Sequence, residues 1–136
     1  MGIYDNVIAD GETILQFIPQ REPIIMIDNV INHSNEETIT TLTILNDNIF
    51  VEDDLFQSSG LIEHIAQSSA ARMGMQTFEL GRKPLLGYIA SVKNMKIEWL
   101  PKVGEIITTK IIITNQIGNI IVVNGTSKVG SNIIAN

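Results

Sequence analysis

The chain contains no cysteine, which excludes a disulfide framework and a thiolate zinc site. Its only two histidines, His33 and His64, lie far apart in the sequence. Two isolated histidines do not make a metal site, so neither a metal nor any other cofactor is predicted.

Basic residues are also scarce. The chain has 9 lysines and arginines against 15 acidic residues, a formal net charge of -6. Phosphate groups bind to basic surfaces, so neither nucleic acid nor an anionic membrane is predicted as the main partner. The chain lacks both an uninterrupted apolar run of about 18 residues and a signal-like N-terminus. We therefore expect no membrane span and a cytoplasmic location.

Hydrophobic residues are plentiful, at 44% of 136 residues, and many are isoleucine or valine. These β-branched side chains fit a pleated, half-buried surface better than a helix. The length suits one domain with its own core. We predict a single domain spanning residues 1–136 and rich in sheet.

The first half of the chain predicts a short helix at 12–17, ended by Pro19, and two strands at 24–31 and 38–45. Residues 46–60 show no periodicity and are predicted to form a long surface loop. The acidic run Glu52-Asp53-Asp54 falls in this loop and is more typical of a solvated segment than of a cation site.

The second half predicts one long helix at 61–80 with Gly81 as its C-cap. Small residues in the middle of this helix allow another backbone to come close. Further strands are predicted at 85–97, 105–115, 120–129 and 133–135. This order indicates an α+β fold in which an antiparallel sheet wraps around one long central helix.

Two segments carry candidate chemistry: Pro19-Gln20-Arg21-Glu22-Pro23, and Leu61-Ile62-Glu63-His64-Ile65-Ala66-Gln67 on the helix. They resemble the Pro-His-Arg-x-Pro and Leu-Ile-Glu-x-x-Ala-Gln motifs of the FabZ-like and FabA-like 3-hydroxyacyl-ACP dehydratases. Residues 87–90 and 101–105 resemble later segments of that family in the same order. The resemblance covers most of the chain and implies the hotdog fold.

The chain departs from the family pattern at two places. Gln20 stands where the family has its histidine, and the loop at 55–60 lacks the family's His-Phe-Pro-Gly stretch. The dehydratase-like proteins of aryl-polyene and flexirubin synthesis also lack that stretch, and the chain resembles them in this respect. They usually keep the histidine, so Gln20 is a departure even there.

The resemblance implies a site shared between two subunits, in which Gln20 of one chain faces Glu63 of the other. These are the predicted catalytic positions, with Gln20 impaired because a carboxamide cannot transfer protons near neutral pH. His64 follows Glu63 directly and points about 100° away around the helix, so it is no ready substitute.

Three further residues are predicted to bind substrate. With Ser59 as the N-cap, the backbone N–H groups near Gly60 and Leu61 would be free to bind a thioester oxygen. Arg21, beside Gln20, is the third.

The leading hypothesis is a dehydratase-like protein of fatty-acid or polyene synthesis that binds acyl-phosphopantetheine thioesters, on acyl carrier protein or coenzyme A. Dehydration is expected to be weak for the chain alone. The assembly would be a homodimer or a heterodimer with a histidine-bearing paralogue. The alternatives are a hotdog acyl thioesterase that uses Glu63, and a non-catalytic acyl-binding protein. Five basic residues near the later strands either form a surface for an acidic carrier protein or are scattered solubilising charges: Arg82, Lys83, Lys93, Lys96 and Lys102.

Overall fold

An antiparallel sheet and one long helix form the two main layers of the fold. The structure is a computed structural model that describes residues 8–79, 81, 94–117 and 120–136. Its elements are β1 (Ala9–Asp10), α1 (Gly11–Ile14), β2 (Asn29–His33), β3 (Glu37–Thr43), β4 (Val51–Glu52), β5 (Leu55–Phe56), α2 (Ser58–Glu79), β6 (Ile106–Ile117), β7 (Ile120–Val129) and β8 (Asn132–Ala135).

The main sheet has six strands in the order β1-β2-β3-β6-β7-β8, and every neighbouring pair is antiparallel. Helix α2 packs across β3, β6 and β7. Leu61 and Ile65 of the helix join Ile107 and Ile111 of β6 in the larger hydrophobic core. The predicted α+β arrangement of one antiparallel sheet around a central helix is confirmed.

The later strands lie close to their predicted positions. Strand β7 has the predicted bounds, and β6 and β8 differ from theirs by one or two residues. The helix ends as predicted, with Gly81 at φ +70° and its N–H donating to the Phe78 carbonyl at 2.9 Å. The strand predicted at 85–97 lies largely outside the described residues, as do Arg82, Lys83 and Lys93.

The early elements are shorter than predicted. Helix α1 ends at Ile14 and continues as turns to Phe17. The strand predicted at 24–31 begins only at Asn29. The Met26 N–H donates to the Gln67 side chain at 2.7 Å, and the Met26 carbonyl accepts from His64 at 2.6 Å. The backbone of Met26 therefore bonds to helix α2 and not to a strand.

The segment predicted as a loop at 46–60 contains regular structure. Strands β4 and β5 form a two-stranded hairpin. Asp53 and Asp54 make its turn with φ values of +54° and +62°, a left-handed conformation that aspartate tolerates better than most residues. The acidic run is therefore part of a tight turn. The described residues contain no group of three or more His, Asp or Glu side chains that could hold a metal ion.

Helix α2 comes very close to the turn that follows α1. A Cβ atom on Gly74 would lie 2.8 Å from the Cα of Phe17 and would overlap its carbonyl oxygen. The expectation that small residues admit another backbone is confirmed at this position. None of the described helices is long and apolar enough to cross a membrane.

Candidate active site

Glu63 is half-buried on the second turn of α2, and one of its carboxylate oxygens is fixed. Its Oε1 accepts a hydrogen bond from Gln67 Nε2 at 2.9 Å. The two residues are four apart, a spacing that brings side chains together on one helix face. Within the described part of the chain, the other oxygen, Oε2, has no hydrogen-bond donor.

Gln67 is completely buried and uses its whole carboxamide. Its second Nε2 hydrogen donates to the Ile24 carbonyl at 2.7 Å, and its Oε1 accepts the Met26 N–H at 2.7 Å. The glutamine therefore links the carboxylate of Glu63 to the extended segment that leads into β2. The sequence motif contains Gln67, but we did not predict it as a site residue.

His64 lies in the core and points into the sheet. The Met26 carbonyl can only accept, so Nδ1 donates to it and the neutral ring accepts at Nε2 from the Thr109 hydroxyl at 2.8 Å. Thr109 in turn accepts from Ser127 at 2.7 Å. Burial lowers the pKa of His64 to about 4. The ring is neutral and fully engaged, so it does not replace the missing histidine.

The start of α2 differs from the prediction. The helix begins at Ser58, so Gln57 and not Ser59 precedes it. The Gln57 carbonyl accepts the Leu61 N–H at 3.1 Å, and the predicted free N–H at Leu61 is therefore wrong. The two adjacent serines, Ser58 and Ser59, both suit an N-cap, which is why the N-cap was predicted two residues late, at Ser59 instead of Gln57.

Gly60 keeps a free backbone N–H, with no hydrogen-bond acceptor among the residues that the structure describes. The residue is buried, and a Cβ atom there would lie 2.5 Å from the Cβ of Phe50 and 2.7 Å from Cε1 of Phe56. Glycine is thus needed for packing at this position. Substrate binding at Gly60 stays a prediction.

Gln20 follows the turn after α1, and its carboxamide oxygen is buried with no donor in the described residues. Arg21 shapes this turn through its guanidinium group. Nη1 donates to the carbonyls of Ile18 at 2.9 Å and Gln20 at 2.7 Å, and Nη2 donates to that of Leu15 at 3.3 Å. These bonds give Arg21 a structural task, and its predicted contact with substrate stays a prediction.

The structure of one chain does not bring Gln20 and Glu63 together by any contact between described residues. The turn before Gln20 meets α2 at Gly74. Glu63 lies 11 residues earlier on the helix, about 16 Å away along its axis. The predicted pairing of these residues across two subunits stays a prediction.

The family model for ApeP-like proteins, described as ApeP dehydratase, matches residues 12–114, a stretch that includes Gln20 and Glu63. The chain belongs to the ApeP-like family. This result confirms the predicted resemblance to FabZ-like and aryl-polyene dehydratase-like proteins. A search of curated protein sequences finds no significant match.

Solved structures show the fold of this ApeP-like chain. The dehydratase heterocomplex ApeI:P from Xenorhabdus doucetiae matches with a TM-score of 0.83 at 16% identity, over 90% of this chain and 84% of that chain. A hypothetical thioesterase from Streptococcus pneumoniae with coenzyme A matches at 0.61 and 12% identity, over 78% and 77%. The PaaI protein from E. coli matches at 0.63 and 13% identity, over 78% and 75%. The predicted hotdog fold is confirmed.

Proposed function

We propose that this chain is the glutamate-bearing subunit of a heteromeric dehydratase that acts on 3-hydroxyacyl thioesters of acyl carrier protein. The observation that carries the proposal is the contrast between two positions. Glu63 is half-buried with one oxygen fixed by Gln67, while the family's histidine position holds the carboxamide of Gln20. The chain thus has one proton-transfer group where the reaction uses two.

Dehydration requires a base to take the C2 proton and an acid to protonate the C3 hydroxyl, which leaves as water while the C2–C3 double bond forms. Glu63 can serve as one of these groups. A glutamine can hold a hydroxyl or a carbonyl by hydrogen bonds, but it does not exchange protons near neutral pH. A partner subunit that carries a histidine would supply the second group.

Such a heterodimer would contain two unequal sites. Glu63 and the partner's histidine would form the active one, while Gln20 and the partner's acid would form a silent one. Membership of the ApeP-like family supports this assembly, and so does the similarity to a structure titled as a dehydratase heterocomplex. The buried, donorless oxygen of Gln20 is also consistent with a contact made only in the assembly or with substrate.

Intact mass spectrometry of a 3-hydroxyacyl-ACP tests the proposal, because it distinguishes loss of water from loss of the whole acyl group. The substrate is incubated with the chain alone, and with the chain co-expressed with a histidine-bearing paralogue. We expect water loss mainly from the complex, with Glu63→Ala removing it. Glu52→Ala, which changes an exposed glutamate of the β4–β5 hairpin, is the matched control. Full activity of the Glu63→Ala complex would contradict the proposal.

A thioesterase is the second candidate. It is favoured by the hydrogen-bonding capacity that Gln20 retains, since a carboxamide can hold a thioester carbonyl without transferring a proton. In the same experiment, release of the acyl group from a substrate without a 3-hydroxyl would support the thioesterase. An unchanged substrate that stays bound, with equal affinity for Glu63→Ala, would indicate a non-catalytic binding protein.

A further inference from the structure

We infer that Gln67 is the positioning residue of the active site, and that it holds the Glu63 carboxylate at the one oxygen not used on the substrate. The inference rests on the proposed function, since it assigns a residue to the same site. Gln67 does not itself transfer protons, because its side chain is a carboxamide. It acts through Glu63.

The orientation of the Gln67 carboxamide is determined by its backbone partners. The Met26 N–H needs an acceptor and lies 2.7 Å from the side-chain oxygen, while the Ile24 carbonyl needs a donor and lies 2.7 Å from the nitrogen. A rotated carboxamide would place like groups against each other at both contacts. The remaining hydrogen of Nε2 therefore points to Glu63 Oε1 at 2.9 Å.

The backbone of Met26, to which Gln67 bonds, is also held by His64. His64 lies three residues before Gln67 on the same helix face and donates to the carbonyl of Met26 at 2.6 Å. The other ring nitrogen accepts from Thr109 on β6. The Met26 residue is thus held by two buried side chains of α2, one of which is bonded to the sheet. No solvent competes with these bonds, because His64, Gln67 and Thr109 are fully buried.

This arrangement assigns different tasks to the two oxygens of Glu63. Oε1 is held by Gln67, and Oε2 is left for the substrate. Proton transfer requires the acid or base to stand within about 2.6–3.2 Å of the reacting group, and a displacement of about 1 Å can cost on the order of 10²-fold in rate. A glutamate without its holding bond would sample other rotamers and lose this geometry.

The first test needs no enzyme activity. Isotope-labelled protein is examined by NMR, and the two side-chain N–H signals of Gln67 are compared between the wild type and Glu63→Ala. We expect one signal to move, while the signal of the hydrogen that donates to Ile24 stays in place. Two unchanged signals would overturn the inference.

The second test measures turnover by the complex with the histidine-bearing subunit. Gln67→Glu keeps the shape and the acceptor for Met26 but removes both Nε2 donors, to Glu63 and to the Ile24 carbonyl, and Gln67→Met removes all three bonds. We expect both variants to lower kcat by about 10–10²-fold, with KM changed far less. Ser68→Ala is the control, because this buried neighbour bonds to Thr40 and the His64 carbonyl and does not contact Glu63. Its kcat should match the wild type.

The two possible failures can be told apart. If the wild-type complex dehydrates its substrate and Gln67→Glu retains full kcat, the inference about Gln67 is wrong and the proposed function stands. If the wild-type complex does not dehydrate any 3-hydroxyacyl-ACP, the proposed function fails and the positioning role fails with it.

Discussion

Gly74 of α2 lies directly against the backbone of Phe17, closer than any residue with a Cβ atom would permit. The Cβ of an alanine at this position would stand 2.8 Å from the Phe17 Cα and 2.9 Å from its carbonyl carbon. Phe17 belongs to the turn that leads to Gln20. The contact between α2 and this turn therefore determines where the segment Pro19-Gln20-Arg21 leaves the core.

The variant Gly74→Ala should destabilise the fold and displace this turn. The obstructing atoms belong to backbone and cannot rotate away, so we expect a loss of about 1–3 kcal/mol in the free energy of unfolding. Urea denaturation measures this loss. Ser69→Ala, on the same helix and half-buried, should change the free energy by less than about 0.5 kcal/mol. Equal stability of Gly74→Ala and Ser69→Ala would contradict the close packing.

The sequence predicts the elements that depend on local signals. Strand β7 (Ile120–Val129) is rich in β-branched residues and was predicted with its observed bounds. The apolar segment at 24–27 is also rich in β-branched residues but does not form a strand. Its backbone bonds to side chains of α2 that are 38 and 41 residues away in sequence, and no local pattern records such contacts.

In the candidate site, too, some residues could be predicted from the sequence and one could be recognised only from the fold. Glu63 and Gln20 were predicted from motifs that resemble a known family. Gln67 has a specific role because it bonds both to Glu63 and to a distant backbone segment, which only the fold reveals. The i,i+4 spacing from Glu63 was the one signal of this role in the sequence.

Replacing Gln20 by histidine should restore a proton-transfer group at the family's histidine position. If two chains then pair as the resemblance implies, Gln20→His on one chain and Glu63 on the other would form a complete site. We expect the chain without a paralogue to gain dehydration activity, up to the 10²–10⁴-fold typical of general acid–base catalysis. The measurement is water loss from 3-hydroxyacyl-ACP by mass spectrometry.

Two controls accompany that experiment. Gln20→Asn keeps a carboxamide and should remain inactive, and the double variant with Glu63→Ala should lose whatever activity histidine adds. A Gln20→His chain that forms a dimer with a bound acyl chain and still shows no water loss would contradict the proposed pairing of the two positions.

Substitutions of Arg21 can show whether this residue mainly shapes the turn or mainly binds substrate. Lysine keeps the positive charge but lacks the planar fork that reaches three carbonyls. If Arg21 mainly shapes the turn, Arg21→Lys should disturb the Gln20 segment. The free energy of unfolding should then fall by less than about 1 kcal/mol, because the side chain is exposed. If Arg21 mainly binds an anionic substrate, Arg21→Lys should keep near-normal affinity for the acyl thioester and Arg21→Ala should not. Titration with acyl-ACP distinguishes these outcomes.

The buried His64 should make the stability of the fold depend on pH. Burial lowers the pKa of His64 from 6.5 to about 4, so between these values the unfolded chain binds a proton that the folded chain does not. The stability is therefore fully present above about pH 6.5 and falls as the pH is lowered towards 4. The total loss amounts to about 3–4 kcal/mol, at about 1.4 kcal/mol for each unit of pKa difference.

The matching measurement is the free energy of urea unfolding at pH 7 and at pH 4.5 for the wild type and for His64→Gln. Glutamine can still donate to the Met26 carbonyl but does not titrate, so the variant should be less stable at pH 7 and lose less on acidification. Asp28 and His33, whose pKa values are also shifted, are present in both proteins and cancel in the comparison. An equal loss in wild type and variant would show that the folded and unfolded states bind a proton at His64 equally well, which would contradict a buried neutral ring whose Nε2 accepts from Thr109.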